Sequence, residues 1–124
     1  MTAIAKSGHN VWYRYPNLDE FDSEALRSLL PYASGPCSHK TLTVQRIREN
    51  KADRGKQRSR TFAEEVAVLT DTIRASGRFD AILVTKRADG VYVCLDGHHR
   101  LQVCKRLAIT NIPVVVFHHD TVNG

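Results

Sequence analysis

The sequence predicts an α/β fold, of the α+β kind, in which helices pack on one small mixed sheet. Two apolar runs, 81–86 and 91–95, are joined by a segment ending in Asp89-Gly90, a pair that favours a reversing turn and hence a hairpin. A helical pattern at 100–108 then leads into the nearly continuous apolar run 112–117, as expected for a strand covered on both faces. With 124 residues, 42% of them hydrophobic, the chain buries one modest core, so a single domain is expected over its whole length.

Residues 1–40 are predicted to form an N-terminal extension that carries a short helix. The aromatic stretch from Trp12 to Tyr15 is expected to pack across the domain as an extended segment. Phe21-Asp22-Ser23-Glu24 then offers an apolar staple, two candidate N-caps and an acid in the first turn of a helix. This helix should end before Pro31, which cannot continue it.

A strand is expected at 41–47, where β-branched residues alternate with polar ones, and a strongly basic segment follows it. Between Arg46 and Arg60 there are two acidic residues and seven basic ones, a difference that equals the net charge of the whole chain, +5. The basic residues are Arg46, Arg48, Lys51, Arg54, Lys56, Arg58 and Arg60. Such a run is either a solvated loop or an arm that contacts polyphosphate or nucleic-acid backbone.

The segment that follows has the sequence pattern of an amphipathic helix. Thr61-Phe62-Ala63-Glu64 matches a capping box, and apolar residues recur at helical spacing from there until Gly77. These residues are Phe62, Val66, Leu69 and Ile73. The stripe is interpreted as core, not as a ligand-binding face.

Strand 91–95, helix 100–108 and strand 112–117 together suggest a βαβ unit. If its two strands are parallel, both end on the same side of the sheet, and His118 and His119 emerge near the histidines that precede the helix. A zinc site built from these side chains is disfavoured because no familiar ligand spacing is present, so no metal site is predicted. His118 and His119 are instead expected to close the last strand.

The segment Asp96-Gly97-His98-His99-Arg100 lies where a strand ends and a helix begins. A glycine there lets the backbone turn sharply, so the first helical N–H groups, two imidazoles and a guanidinium can face one small volume. That volume is expected to attract an anion, and phosphate in particular. Asp96 has two interpretations that are not exclusive: it caps the helix through its carboxylate, or it acts as general base or magnesium ligand beside bound phosphates.

The order of elements and this loop resemble the ParB/sulfiredoxin superfamily over residues 41–117, which we therefore take as the core. The most specific part is the run from Leu95 to Leu101, followed by Lys105-Arg106-Leu107 and Ile112-Pro113. Members hold nucleotide phosphates with the equivalent loop. The resemblance thus implies phosphate binding by a set of loop and arm residues, namely Gly97, His98, His99, Arg100, Arg58 and Arg60.

Three branches of the superfamily differ at this loop. Sulfiredoxins carry Gly-Cys-His-Arg with a catalytic cysteine, and because His98 stands at that position here, sulfiredoxin chemistry is not expected. Partition-type ParB proteins carry Gly-Glu-Arg-Arg. The loop is most similar to the Asp-Gly-His-x-Arg of free serine kinases, which also use a glutamate after the first strand. This similarity implies catalytic roles for Asp96 and Glu49.

The resulting hypothesis is a protein that binds ATP, ADP or CTP, with Mg²⁺ beside the phosphates, and acts as a small phosphotransferase or nucleotide hydrolase. The alternative is a DNA-associated accessory or regulatory module, similar to a lone ParB N-terminal domain, in which the basic arm grips phosphate backbone. Lys51, Arg54 and Lys56 are the residues expected to make that contact.

The three cysteines are odd in number and lack CxxC spacing, which argues against a disulfide framework and a zinc ribbon. Cys94 and Cys104 are expected to be small core residues.

No stretch approaches the roughly 20 apolar residues of a membrane span, and the first residues lack the apolar block of a secretory signal. A cytoplasmic protein without membrane partners is therefore expected.

Overall fold

The computed structural model describes residues 3–6, 12–49 and 60–120. Its eight strands are β1 (Ala3–Lys6), β2 (Trp12–Tyr15), β3 (Ser38–Thr43), β4 (Ile47–Arg48), β5 (Arg78–Asp80), β6 (Ile82–Lys86), β7 (Tyr92–Asp96) and β8 (Asn111–Phe117). Its α-helices are α1 (Glu24–Leu29), α2 (Arg60–Ser76) and α3 (His98–Arg106). Short 3₁₀ turns cover Leu18–Glu20, Leu30–Tyr32 and Val44–Arg46.

Five strands form the main sheet in the order β3-β8-β6-β7-β4. The predicted hairpin is present, since β6 and β7 pair antiparallel. The other pairings alternate in direction: β8 is parallel to β6, β3 is antiparallel to β8, and β4 is parallel to β7. A second sheet, β1-β2-β5, uses the aromatic segment of the N-terminal extension as its central strand. The predicted small mixed sheet with packed helices is therefore confirmed.

The predicted parallel βαβ unit is wrong. β6 lies between β7 and β8 and runs antiparallel to the first and parallel to the second, so β7 and β8 run in opposite directions. Asp96 pairs with Leu83 near the start of β6, whereas Phe117 pairs with Thr85 near its end. The chain therefore leaves β8 at the end of the sheet opposite to α3. The physical reason is that both edges of β7 are already occupied, by β6 and β4, so β8 takes the free edge of β6.

His118 and His119 follow β8 and accordingly do not reach the loop that begins α3. The His118 Nε2 atom lies 2.7 Å from Ser38 Oγ, and His119 forms an isolated antiparallel bridge with Ala33. Both residues thus tie the end of β8 to neighbouring chain segments, as expected for residues that close a strand.

Two helix starts differ from the sequence expectation. The capping box at Thr61 is wrong, because α2 already begins at Arg60 and Thr61 lies inside the helix, where Arg60 Nε bonds Glu64 Oε1 at 3.0 Å. Helix α3 begins at His98 and not at Arg100, because Gly97 is its N-cap residue. By contrast, Ser23 caps α1 as predicted, accepting a hydrogen bond from the Leu26 amide.

The core lies between the main sheet and the helices. Residues 81–84 and 112–117 are almost completely buried, and the stripe of α2 packs inward with Val66 and Ile73 buried and Phe62 and Leu69 half-buried. Cys94 and Cys104 are buried as predicted, and burial raises the pKa of Cys104 to about 12. Within 3–6, 12–49 and 60–120, no helix is both long and apolar enough to cross a membrane.

Candidate functional site

The turn at Gly97 joins the end of β7 to the start of α3 and sets the shape of the site. Its φ angle is +105°, in the left-handed region, and an added Cβ would lie 2.7 Å from Ile82 Cγ2 and 2.9 Å from Ile82 Cβ. Only glycine meets both conditions, because any other residue would pay backbone strain and also overlap β6. The site is therefore built against a strand whose first four residues, 82–85, are buried.

The first turn of α3 presents a positive electrostatic end at this entrance. The hydrogen bonds of the helix start with the Leu101 amide, which donates to the Gly97 carbonyl oxygen at 2.9 Å. The amide groups that precede this bond, in residues 98–100, point toward the helix entrance and carry the positive end of the helix dipole. This nine-residue helix follows directly after a strand, and its N-terminus favours the binding of an anion.

Arg100 contributes a buried donor to the same turn. Its Nη1 atom is buried and has no hydrogen-bond partner in the part of the chain that the structure describes. A guanidinium nitrogen removed from water without an acceptor is costly, and an anionic oxygen is the acceptor that would satisfy it best. The Arg100 side chain is therefore a candidate for binding a negatively charged ligand.

Asp96 is the last residue of β7 and is half-buried beside this turn. Burial, the largest effect, raises the pKa of its carboxyl group, while Arg100, His98 and hydrogen bonds from the Asp22 and Gly97 amides oppose that rise. The interpretation of Asp96 as helix cap is wrong, because Gly97 is the N-cap residue and no side chain caps α3. Asp96 therefore precedes the helix without capping it.

The two histidines of the loop point to different neighbours. His99 Nε2 lies 2.5 Å from Glu65 Oε2, and its ring packs on Phe62 with the centroids 4.4 Å apart, so His99 contacts α2. His98 is half-buried and helps to lower the pKa of the Asp96 carboxyl group. Consecutive helical residues are rotated by about 100°, which is why the two rings cannot share one face.

Glu49 lies against α3, one turn beyond the loop. Its Oε1 atom accepts a hydrogen bond from Gln102 Nε2 at 2.8 Å. The same atom forms an ion pair with Lys105 Nζ at 3.3 Å. Residues 98, 102 and 105 share one helical face, so Glu49 is on the same side of α3 as His98.

Of the basic residues from Lys51 to Arg60, only Arg60 lies in the described part of the chain. Its side chain is 93% exposed and pairs with Glu64, so it does not contact the loop. Lys51, Arg54, Lys56 and Arg58 lie outside the described residues. The residues on both sides of segment 50–59 contact α3. Before the segment, Glu49 accepts a hydrogen bond from Gln102, and after it, Phe62 packs on His99.

Sequence reasoning missed the contribution of the N-terminal extension to this site. Ser23 Oγ donates a hydrogen bond to the Leu95 carbonyl oxygen at 2.7 Å, which joins the segment before α1 to the end of β7. The capping pattern marked Ser23, but a contact between residues 72 positions apart has no local signal. In the described ranges, no three His, Cys, Asp or Glu side chains lie together as a metal site.

Comparison with known proteins gives one family match and several structural ones. The model of the ParB N-terminal domain matches residues 35–123. No match was found among curated proteins. The structure is similar to sulfiredoxin from Arabidopsis thaliana, with a TM-score of 0.54 and 24% identity, covering 69% of this chain and 90% of that one.

Two further structures have the same fold at lower identity. A Pnob8-like ParB-N domain matches with a TM-score of 0.53 and 15% identity over 68% of this chain. Free serine kinase in complex with AMP matches with a TM-score of 0.53 and 17% identity over 84% of this chain. The chain spans about a third of the length of each, 31% and 36% respectively. These similarities establish the fold.

Proposed function

Because this chain belongs to the ParB N-terminal domain family, we propose that it binds a nucleoside di- or triphosphate, with the phosphates at the turn from Gly97 to Arg100. The observation that carries the proposal is the Arg100 Nη1 atom at the start of α3, which is buried and has no hydrogen-bond partner among the described residues. A phosphate oxygen at this turn would accept from the guanidinium and from the first-turn amides at once. Solved free serine kinases of this fold hold AMP or ADP, which supports a nucleotide as the ligand.

The residues around the turn suit phosphoryl transfer, which depends mainly on positioning and on stabilising charge. Asp96 is the candidate for accepting a proton from a hydroxyl, and its raised pKa is typical of a buried acid–base group. Glu49 is the second candidate, on the His98 side of α3. Mg²⁺ in such sites is bound through one or two carboxylates and the phosphates themselves, so Asp96 would hold it only together with the nucleotide.

The first test is calorimetry of the protein with ATP, ADP, CTP and GTP, with and without Mg²⁺. Saturable binding of at least one nucleotide is expected, and no binding of any of them would refute the proposal.

The same samples, incubated with ATP or ADP and free serine, separate an enzyme from a binding protein. A phosphorylated product that disappears in Asp96→Asn or Glu49→Gln, while binding remains, would assign turnover to those carboxylates.

A second candidate function is contact with nucleic-acid backbone through the basic arm. The observation that favours it is the exposure of Arg46, Arg48 and Arg60, which flank segment 50–59 on both sides. Clustered, solvated arginines bind phosphate backbone electrostatically, with an affinity that falls as salt rises.

The arm is tested by replacing its residues in two groups. Alanine at Arg58 and Arg60 should weaken nucleotide binding, because the two substitutions remove two positive charges that would attract the phosphates. Alanine at Lys51, Arg54 and Lys56 should leave nucleotide binding intact and reduce the slope of log affinity for duplex DNA against log salt by about 0.9 per lost phosphate contact. Absence of DNA binding at low salt in the wild type would eliminate this second function.

A further inference from the structure

Two cations from different segments converge on one buried aromatic ring of the main sheet. The Arg46 Cζ atom lies 5.4 Å and the Lys86 Nζ atom 5.9 Å from the centroid of the Tyr92 ring, distances typical of cation–π contacts. Tyr92 is only 3% exposed, whereas both cations are exposed. Arg48, which is also exposed, lies on the edge strand β4 beside β7. We call Arg46, Arg48 and Lys86 the Tyr92 patch.

The Tyr92 patch carries positive charge without an acidic partner. None of its three residues forms an ion pair with a carboxylate within residues 3–6, 12–49 and 60–120. The acids nearest in the sequence have other partners, since Asp89 pairs with Arg87 and Glu49 pairs with Lys105. Cations held together without acids repel one another, and a polyanion would relieve that repulsion.

The patch is separate from the turn at Gly97. Gly97 lies against Ile82, the first residue of β6, whereas Lys86 is the last residue of that strand. Four residue steps of about 3.3 Å each place the two ends about 13 Å apart. Tyr92 likewise begins β7, and Asp96 ends it. A ligand on the patch would therefore leave the proposed nucleotide site open.

We propose that the Tyr92 patch is a docking surface for the phosphate backbone of a nucleic-acid duplex. Exposed arginine and lysine side chains contact backbone phosphates without reading the bases. The patch favours a duplex over a single strand, because the Tyr92 ring is buried and offers no face on which an unpaired base could stack. The cation–π contacts restrain two flexible side chains, which lowers the entropic cost of binding.

This inference deepens the second candidate function, on which it rests, and does not depend on nucleotide binding. It adds Lys86, a residue outside the basic arm, and a surface that belongs to the main sheet.

The test is fluorescence anisotropy of short labelled DNA and RNA duplexes, titrated with the protein at several salt concentrations. In the double variant Arg46→Ala/Lys86→Ala, the affinity for a duplex should fall about 10- to 100-fold at low salt. The slope of log affinity against log salt should fall by about 1.8 on B-form DNA, the value for two lost phosphate contacts. Lys86→Arg, which keeps the charge, should bind like the wild type. A loss on either duplex supports the proposal, and the duplex that binds more tightly identifies the source of the backbone.

The double variant Lys40→Ala/Arg74→Ala is the matched control, because it removes the same net charge from exposed positions outside the patch. Lys40 lies on β3, at the opposite edge of the main sheet, and Arg74 lies in the last turn of α2. Its affinity should fall less than about threefold, since charges away from the contact act only through a screened field.

Three results would overturn the proposal: equal losses in the two double variants, tighter binding of the matching single strand, or binding of neither duplex at low salt. Duplex binding that depends on Lys51, Arg54 and Lys56 but not on Lys86 would also overturn it, and would leave the second candidate function standing. Nucleotide binding is measured separately by calorimetry, so a failure of the nucleotide site is distinguishable from a failure of the patch.

Discussion

Replacing Arg100 with alanine should weaken nucleotide binding by about 10- to 100-fold, the loss expected when charge-assisted hydrogen bonds worth about 1.5–3 kcal/mol are removed. Its Nη1 atom is buried and unpartnered in the described part of the free protein, so this atom gains an acceptor when an anion binds. For the same reason, the thermal midpoint of the nucleotide-free variant should change little. Calorimetry and thermal unfolding of one preparation measure both quantities.

Arg106→Ala is the matched control, because Arg106 is exposed at the opposite end of the same helix. Its effect on the nucleotide Kd should stay within about twofold, as expected for a solvated surface charge. Arg100→Lys should recover only part of the affinity, since an ammonium lacks the planar pair of donors that a phosphate accepts. Equal losses in the two arginine variants would indicate a general charge effect and contradict a specific site at Arg100.

Replacing Gly97 with alanine should lower the free energy of unfolding by about 2–5 kcal/mol. About 1–2 kcal/mol comes from placing a side chain in the left-handed region, and about 1–3 kcal/mol from forcing a methyl group into a packed core. The overlap is with Ile82, which is fully buried and cannot move away cheaply. The midpoint of urea unfolding, at an unchanged slope, measures the loss.

Gly90→Ala separates the two causes. Gly90 also has a positive φ, +86°, but an added Cβ there meets nothing within 4 Å. This variant should therefore show only the backbone strain, about 1–2 kcal/mol, and the two variants share the same effect on the unfolded chain. If Gly97→Ala proves as mild as Gly90→Ala, β6 yields to the methyl group and the turn is less tightly built than its geometry indicates.

Local sequence signals predicted those features that depend on a few neighbouring residues. Examples are the Ser23 cap, the Asp89-Gly90 hairpin and the apolar stripe of α2, all of which the structure contains. The loop at Gly97 belongs to this group, since a sharp turn between an apolar strand and a helix is visible in the residues themselves. The resemblance to the ParB/sulfiredoxin superfamily is likewise confirmed. The roles of the loop residues stay predictions until nucleotide binding is measured.

The sequence by itself thus determined the sheet-and-helix class, the family and the position of the glycine turn, because periodicity and turn chemistry act over short separations. Only the tertiary structure decided that β8 pairs with β6, that His99 contacts Glu65, and that Ser23 reaches Leu95. Each of these contacts depends on which sheet edge or helix face is still free once the core has packed. That outcome is a property of the whole buried surface, and no short stretch of residues encodes it.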